Sequence, residues 1–125
     1  MSKALLICNG ENDHALLKQL AQEADFILAA DAGAGAALRA GLRPDAVIGD
    51  LDSISPRTRK QLSQAAFIHV SRQDNTDFEK ALDWLVGQAF DSCTVAGSTG
   101  NRLDFTLGNF LSARPYAQKL DLCFR

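Results

Sequence analysis

Apolar residues along the chain fall into two spacings. Short unbroken runs, such as Ala4 to Cys8 and Phe26 to Ala30, fit strands buried on both faces. Between those runs the apolar positions recur every three or four residues, and Leu16, Leu17, Leu20 and Ala24 make a helical stripe. After the strand at 26–30 the spacing predicts a helix through Leu38, then a short third strand over Ala46 to Ile48. Ser55 before Pro56 is an N-cap and first-turn pair, and predicts a helix running to about Ala65. Phe67 to Val70 reads as a fourth strand. Thr76-Asp77-Phe78-Glu79 has the spacing of a capping box. It opens a helix whose inner stripe is Phe78, Ala81, Leu82, Leu85 and Ala89. Cys93 to Ala96 predicts a fifth strand. Leu103, Leu107, Phe110 and Leu111 mark a last helix, and Leu120 to Phe124 begin a sixth strand.

Strands alternating with helices predict an α/β fold. The expected architecture is an open, mostly parallel sheet of about six strands with helices on both faces, a Rossmann-like three-layer sandwich. Its crossovers should be right-handed. At 125 residues the chain fits one domain able to bury its own core. It stops within three residues of an apparent strand, an abrupt ending that suggests a continuation in a longer protein.

Charge and cysteine usage then remove several classes. Thirteen Lys and Arg against fifteen Asp and Glu leave a net charge of -2. With no basic run, nucleic acid has no electrostatic footprint to bind. No apolar stretch approaches the length of a membrane span and no signal-peptide pattern opens the chain, so a cytoplasmic location is expected. Cys8, Cys93 and Cys123 each lie in or beside an apolar run and read as reduced core thiols; no CxxC spacing occurs.

The unusual polar residues gather after the predicted strands. Asn9-Gly10, Asp31-Ala32-Gly33, Gly49-Asp50-Leu51-Asp52-Ser53, Gln73 to Asp77, and Gly97 to Asp104 follow strands one to five in turn. In open parallel sheets ligands bind beyond those carboxyl ends. The helix-to-strand turns of the opposite rim look plainer. Asp50 and Asp52 stand two apart, so in an extended segment both carboxylates point one way. At about 4 Å such a pair repels by roughly 4 kcal/mol in an intermediate dielectric. Mg²⁺ relieves that, since it takes oxygen ligands and combines one or two carboxylates with substrate phosphates. A polar loop with a capping carboxylate is the alternative. Asp77 also reads as an ordinary acid in a helix's first turn. Asp31 could be a turn residue and Asp104 a solvated helix residue. Gly97 to Gly100 is a candidate phosphate loop or a plain turn, with Arg102 placed to fork onto a phosphate. No Walker A motif is present. Gly33-Ala34-Gly35 begins a dinucleotide fingerprint, but Leu38 fills its third glycine position. His14, at a helix start, and His69, inside a strand, are poor catalytic candidates, and Trp84 reads as a packing residue. An aspartyl-phosphatase is a third reading, disfavoured because the acid pair follows the third strand and Ile54 stands where those enzymes carry threonine.

Taken in order, these segments resemble the N-terminal, nucleotide-binding half of the thiamine pyrophosphokinases. The carrying residues are Ala30 to Ala34, Pro44-Asp45, Gly49 to Ile54, Asp74 to Leu82, and Gly97 to Asp104. The resemblance implies pyrophosphate transfer from ATP to the thiamine hydroxyl, with AMP leaving. It implies that Asp50, Asp52 and Asp77 hold Mg²⁺. Asp31, Gly33, Ser53 and Thr76 would lie at the nucleotide, and Ser98, Thr99 and Gly100 would shape the phosphate pocket. Arg102 would meet phosphate and Asp104 substrate, with Asp77 or Asp104 taking the hydroxyl proton. The sequence departs from the family at Ala32 and Asn101, where glycine is usual, and at Phe105, where a polar residue is usual. The resemblance also implies a homodimer, and a β-rich second domain that is absent from these 125 residues. Two further readings stand beside it: a non-catalytic nucleotide-binding module, and a pyrophosphokinase acting on another alcohol such as a hydroxymethylpterin.

Overall fold

A computed structural model describes residues 2–8, 13–30, 33–49, 54–69, 77–97 and 121–124, with the backbone alone at Asp77, Phe78, Asp121 and Phe124. Six strands are present among them: β1 (Lys3–Ile7), β2 (Phe26–Ala30), β3 (Ala46–Gly49), β4 (Ala66–His69), β5 (Ser92–Ala96) and β6 (Asp121–Phe124). They form one sheet in the order β4-β3-β2-β1-β5-β6. Every pairing is parallel, as the α/β reading expects.

The helices are α1 (His14–Glu23), α2 (Gly33–Arg39), α3 (Pro56–Gln61) and α4 (Asp77–Gly87). Alternate strand residues face opposite ways, and the core divides accordingly. Leu6, Leu28, Ile48 and Val95 lie on one face with Ala81, Leu82 and Leu85 of α4. Leu5 and Ile7 lie on the other with Leu17 and Leu20 of α1 and Ala36 and Ala37 of α2. Ala29 and Val47 extend that second face beneath Ile54 and Leu62. The split follows from handedness. The steps β1 to β2 to β3 to β4 all move one way along the sheet, so right-handed crossovers put α1, α2 and α3 on one face. The step β4 to β5 moves back, and α4 covers the other.

Local chemistry fixes the helix starts. Asp13 caps α1, accepting from the amides of Ala15 at 2.9 Å and Leu16 at 3.3 Å. Ser55 caps α3 as expected, accepting from the Thr58 amide at 3.2 Å, with Pro56 following. The expected run of α3 to Ala65 is too long: the helix closes at Gln61. The Ala66 amide already donates to the Asp45 carbonyl at 3.0 Å, so residues 62–65 are needed to reverse the chain. Strand β4 accordingly begins one residue before the expected Phe67.

Two expectations of burial need correction. Ala89 is exposed and lies beyond α4 with φ 63°. The Phe90 amide donates to the Leu85 carbonyl at 3.2 Å and the Ala89 amide to the Val86 carbonyl at 3.1 Å, which closes the helix in a Schellman motif. Cys123 is exposed on the edge strand β6, whereas Cys8 and Cys93 are core thiols as expected. Edge strands bury one face less completely, which a short apolar run does not reveal. The expected last helix, from Leu103 to Leu111, lies outside the described residues.

Candidate functional site

Parallel pairing brings the carboxyl ends of the strands to one rim. The register sets Ile7 beside Ala29 and Ala96, Ala30 beside Ile48, and Gly49 beside His69. The strand order reverses at β1, with β2 to β4 on one side and β5 and β6 on the other. Crevices for ligands open at such a reversal. The Cys8 amide donates to the Ala96 carbonyl at 2.8 Å, so β1 and β5 stay joined to that point. Beyond it the chain enters Gly97, buried, with φ 71°, a backbone state that a glycine adopts without strain.

The expected site residues follow these ends in the sequence. Asp31 follows Ala30, and Asp50, Asp52 and Ser53 come after Gly49. Thr76 precedes α4, and Ser98, Thr99, Gly100, Arg102 and Asp104 come after Gly97. All ten lie outside the described residues. Asp77 is the first residue of α4. Among the described residues no group of three or more His, Cys, Asp or Glu is placed to hold a metal ion.

Gly33 is described, and its surroundings are tight. It opens α2, buried against the end of β1. A Cβ there would collide with the Ile7 carbonyl oxygen, and would stand 2.9 Å from the Ile7 carbonyl carbon and 3.3 Å from that of Cys8. Packing alone therefore demands a glycine, since the start of α2 rests directly on the β1 backbone. On the opposite face α4 lies against β2 and β3. Its Lys80 is the buried charged residue among those described, at 6% exposure.

The opposite rim is not plain, contrary to the sequence expectation. Asp25, Asp45 and Asp91 each stand immediately before a strand and reach back to a neighbouring backbone. Asp25 accepts from the Lys3 amide at 2.9 Å, Asp45 from the Ile27 amide at 2.8 Å, and Asp91 from the Ser2 amide at 2.9 Å. Their own amides donate to the carbonyls of Lys3, Ile27 and Ser2. Each aspartate thus closes the first rung of a parallel ladder, where an amide would otherwise lack a strand partner. An acid followed at once by an apolar run was the available signal.

Of the remaining residues, Trp84 is a packing residue, as expected. His14 is the exposed first residue of α1 and His69 the exposed last residue of β4. Trp84 packs against Phe26 at 5.7 Å and Phe90 at 6.5 Å between ring centroids. Burial pushes the Cys93 thiol up to about 12, and the neighbouring Cys8 adds to the rise, against a backbone hydrogen bond from Leu6 that lowers it. A cavity of about 240 Å³ lies between α1, β1 and β5, at the strand starts and so away from the carboxyl rim.

The chain is similar to known proteins of one kind. It is 37% identical over 82 residues to the thiamine pyrophosphokinase of Bacillus subtilis, an alignment covering 63% of this chain and 38% of that protein. The crystal structure of a Bacillus subtilis thiamine pyrophosphokinase superposes with a TM-score of 0.77 at 25% identity, covering 97% of this chain and 60% of that one. A probable thiamine pyrophosphokinase from Staphylococcus saprophyticus gives 0.72 at 27% identity, covering 100% of this chain and 65% of the other. The yeast thiamin pyrophosphokinase gives 0.79 at 18% identity, a likeness of fold, covering 99% of this chain and 58% of that one. The chain thus spans less than two thirds of the length of these relatives. No helix among the described residues is long and apolar enough to cross a membrane. A family model described as thiamin pyrophosphokinase, catalytic domain, matches residues 17–124, and the chain belongs to that family.

Proposed function

We propose that this chain forms the nucleotide-binding, catalytic part of an enzyme that transfers pyrophosphate from ATP to the hydroxyl of thiamine, giving thiamine diphosphate and AMP. The observation that carries the reading is the all-parallel sheet with its order reversed at β1. It brings to one rim the strand ends from which the family's motif segments continue in sequence.

Mg²⁺ fits the donor set, because Asp50, Asp52 and Asp77 offer only carboxylate oxygens, the ligands this ion prefers. When bound, Mg²⁺ withdraws charge from the phosphate oxygens and eases departure of AMP. The three aspartates would hold it. Asp31, Gly33, Ser53 and Thr76 would lie at the nucleotide, and Ser98, Thr99 and Gly100 would shape the phosphate pocket. Arg102 would fork onto a phosphate. Asp77 or Asp104 would accept the thiamine hydroxyl proton as the oxygen attacks the β-phosphorus. For Gly33 the close approach to β1 is a packing reason that stands with or without a nucleotide contact.

Second readings concern the acceptor. The chain covers 38% of the curated relative in sequence alignment, which leaves room for a nucleotide-binding module without turnover, or for an alcohol such as a hydroxymethylpterin. A homodimer, a cytoplasmic location and a β-rich second domain in the longer protein belong to the same proposal. The test is AMP release from Mg-ATP with and without thiamine. Thiamine-dependent AMP supports transfer, Mg-ATP binding without AMP supports the module, and pterin-dependent AMP reassigns the acceptor. In excess chelator ATP binding should fall at least 10-fold, by about 1.4 kcal/mol or more; unchanged affinity would overturn the metal assignment.

A further inference from the structure

Protein interiors pack to near crystal density and leave few voids larger than a water molecule. The cavity of about 240 Å³ between α1 and the sheet is far larger than that. Its origin lies in the side chains of β5 and β6. Lys3, Leu5 and Ile7 alternate onto the face that α1 covers, where Leu5 and Ile7 join Leu17 and Leu20. The register sets Ser92 beside Lys3, Thr94 beside Leu5 and Cys123 beside Thr94, so these three share that face. Ser92 and Thr94 are half-buried there and Cys123 is exposed. On the reverse of the same strands Cys93 and Val95 are buried, with Leu122 packed against their cluster. A helix bedded on the α1 side of β5 and β6 would demand apolar residues there too. The strands offer two hydroxyls and a thiol instead.

Two opposite charges line the same space, Lys3 from β1 and Glu23 from the end of α1. The last carbonyls of a helix lack helical donors and carry its negative partial charge, so a cation is favoured beside them. α1 has no basic side chain in its last turn and ends on Glu23, which adds to that negative charge rather than balancing it. Among the described residues neither Lys3 nor Glu23 spends its side chain on an ion pair or a hydrogen bond. Leu5, Leu20 and Ala24 add apolar lining.

We propose that this cavity is a binding site for a small zwitterion, a free α-amino acid. Its ammonium would sit at Glu23 and the α1 carbonyls, and its carboxylate at Lys3. A short aliphatic side chain would lie against Leu5 and Leu20, with the Thr94 hydroxyl in reach of a polar atom. Drug-sized ligands occupy pockets of about 300–1,000 Å³, so the smaller volume here selects a short side chain. The site opens at the strand starts, on the rim opposite the family's motif segments, and stands whether or not the chain binds a nucleotide.

The test reads alkylation of Cys123 by iodoacetamide on the full chain. Cys123 lines the cavity and is exposed, whereas Cys8 and Cys93 are buried. The probes are glycine, L-alanine, L-serine, L-threonine and L-valine. At about ten times its Kd a ligand leaves about a tenth of the sites free, so a bound amino acid should slow the labelling about 10-fold. The matching compounds with one charge, isobutylamine and isovalerate for L-valine, should protect far less. Glu23→Gln and Lys3→Met should each weaken protection about 10-fold or more, since each removes a charged hydrogen-bond partner. Both side chains are exposed, so the melting temperature should not move. Protection by none of the amino acids would overturn the proposal. So would equal protection by isobutylamine or isovalerate, which needs only the wild-type chain, or undiminished protection in both variants, which would place the amino acid elsewhere.

Discussion

Alanine at position 89 holds a conformation that suits glycine. Its φ of 63° is the left-handed state that ends α4, and an L-residue there is strained by about 1–2 kcal/mol. The matching position after α2 is Gly41, with φ 79°, where the Leu42 amide donates to the Ala37 carbonyl in the same pattern. Ala89→Gly should therefore stabilise the chain by about 0.5–1 kcal/mol, read as a higher urea midpoint with unchanged slope. Gly33→Ala should do the reverse, lowering stability by about 1–3 kcal/mol or more, because α2 must lift from the β1 backbone. The cysteines give a third residue-scale expectation. An alkylating reagent should label Cys123 quickly in the native chain, and Cys8 and Cys93 only on unfolding. Folded Cys93 keeps its proton up to about pH 12, above the ordinary 9.0. The stability linked to it is fully present below about pH 9 and is lost as pH rises toward 12, since the unfolded chain releases that proton first. Cys93→Val should flatten the alkaline side of the stability profile, and an unchanged slope would assign it to other groups.

Among the elements, the strand-start aspartates carry the clearest consequence. Asp45 accepts from Ile27 with its side chain and donates to the same residue's carbonyl with its backbone, while its own carbonyl accepts from Ala66. It joins three strands at their first rung. Asp45→Ala should lower stability by about 1 kcal/mol, with faster amide exchange at Ile27 than at Leu28. Equal exchange at the two would place the effect elsewhere. These aspartates also mark where sequence reading reached its limit. An acid beside a strand looks the same at either end of it, and only the pairing tells a ladder-closing carboxylate from one facing a crevice. The element types were legible because their apolar spacings are strong: β2 runs over the expected Phe26–Ala30 and α4 opens at the expected Asp77. The end of α3 and the reach of the α4 stripe were not, because both depend on where a neighbouring strand begins. Cys123 was misjudged because a three-residue apolar run does not say that its strand lies at an edge.

At the scale of the whole molecule, the described aspartates before strands gather at one rim of the sheet. Asp25, Asp45 and Asp91 are bonded to amides at the strand starts. The motif segments, with their own aspartates, continue from the opposite ends. The motif order in the sequence was enough to suggest the family, and the parallel topology brings to one rim the strand ends from which those segments continue. The placement of Lys80 was not legible in the sequence, where a lysine within a charged first turn looks solvated. Its burial follows from the way α4 beds on β2 and β3.

The latched rim also provides an internal reference. β1 is five residues long, so its first and last residues stand about 13 Å apart at roughly 3.3 Å per residue. That is beyond the screening length of about 8 Å at physiological salt. In a magnetic-resonance titration with Mg²⁺ and ATP, the amide signals of Ser2, Lys3 and Ile27 should hold still while those of Cys8, Gly49 and Gly97 move. Drift common to both sets then measures bulk ionic strength, so a single spectrum series separates binding at one rim from salt acting on the whole surface.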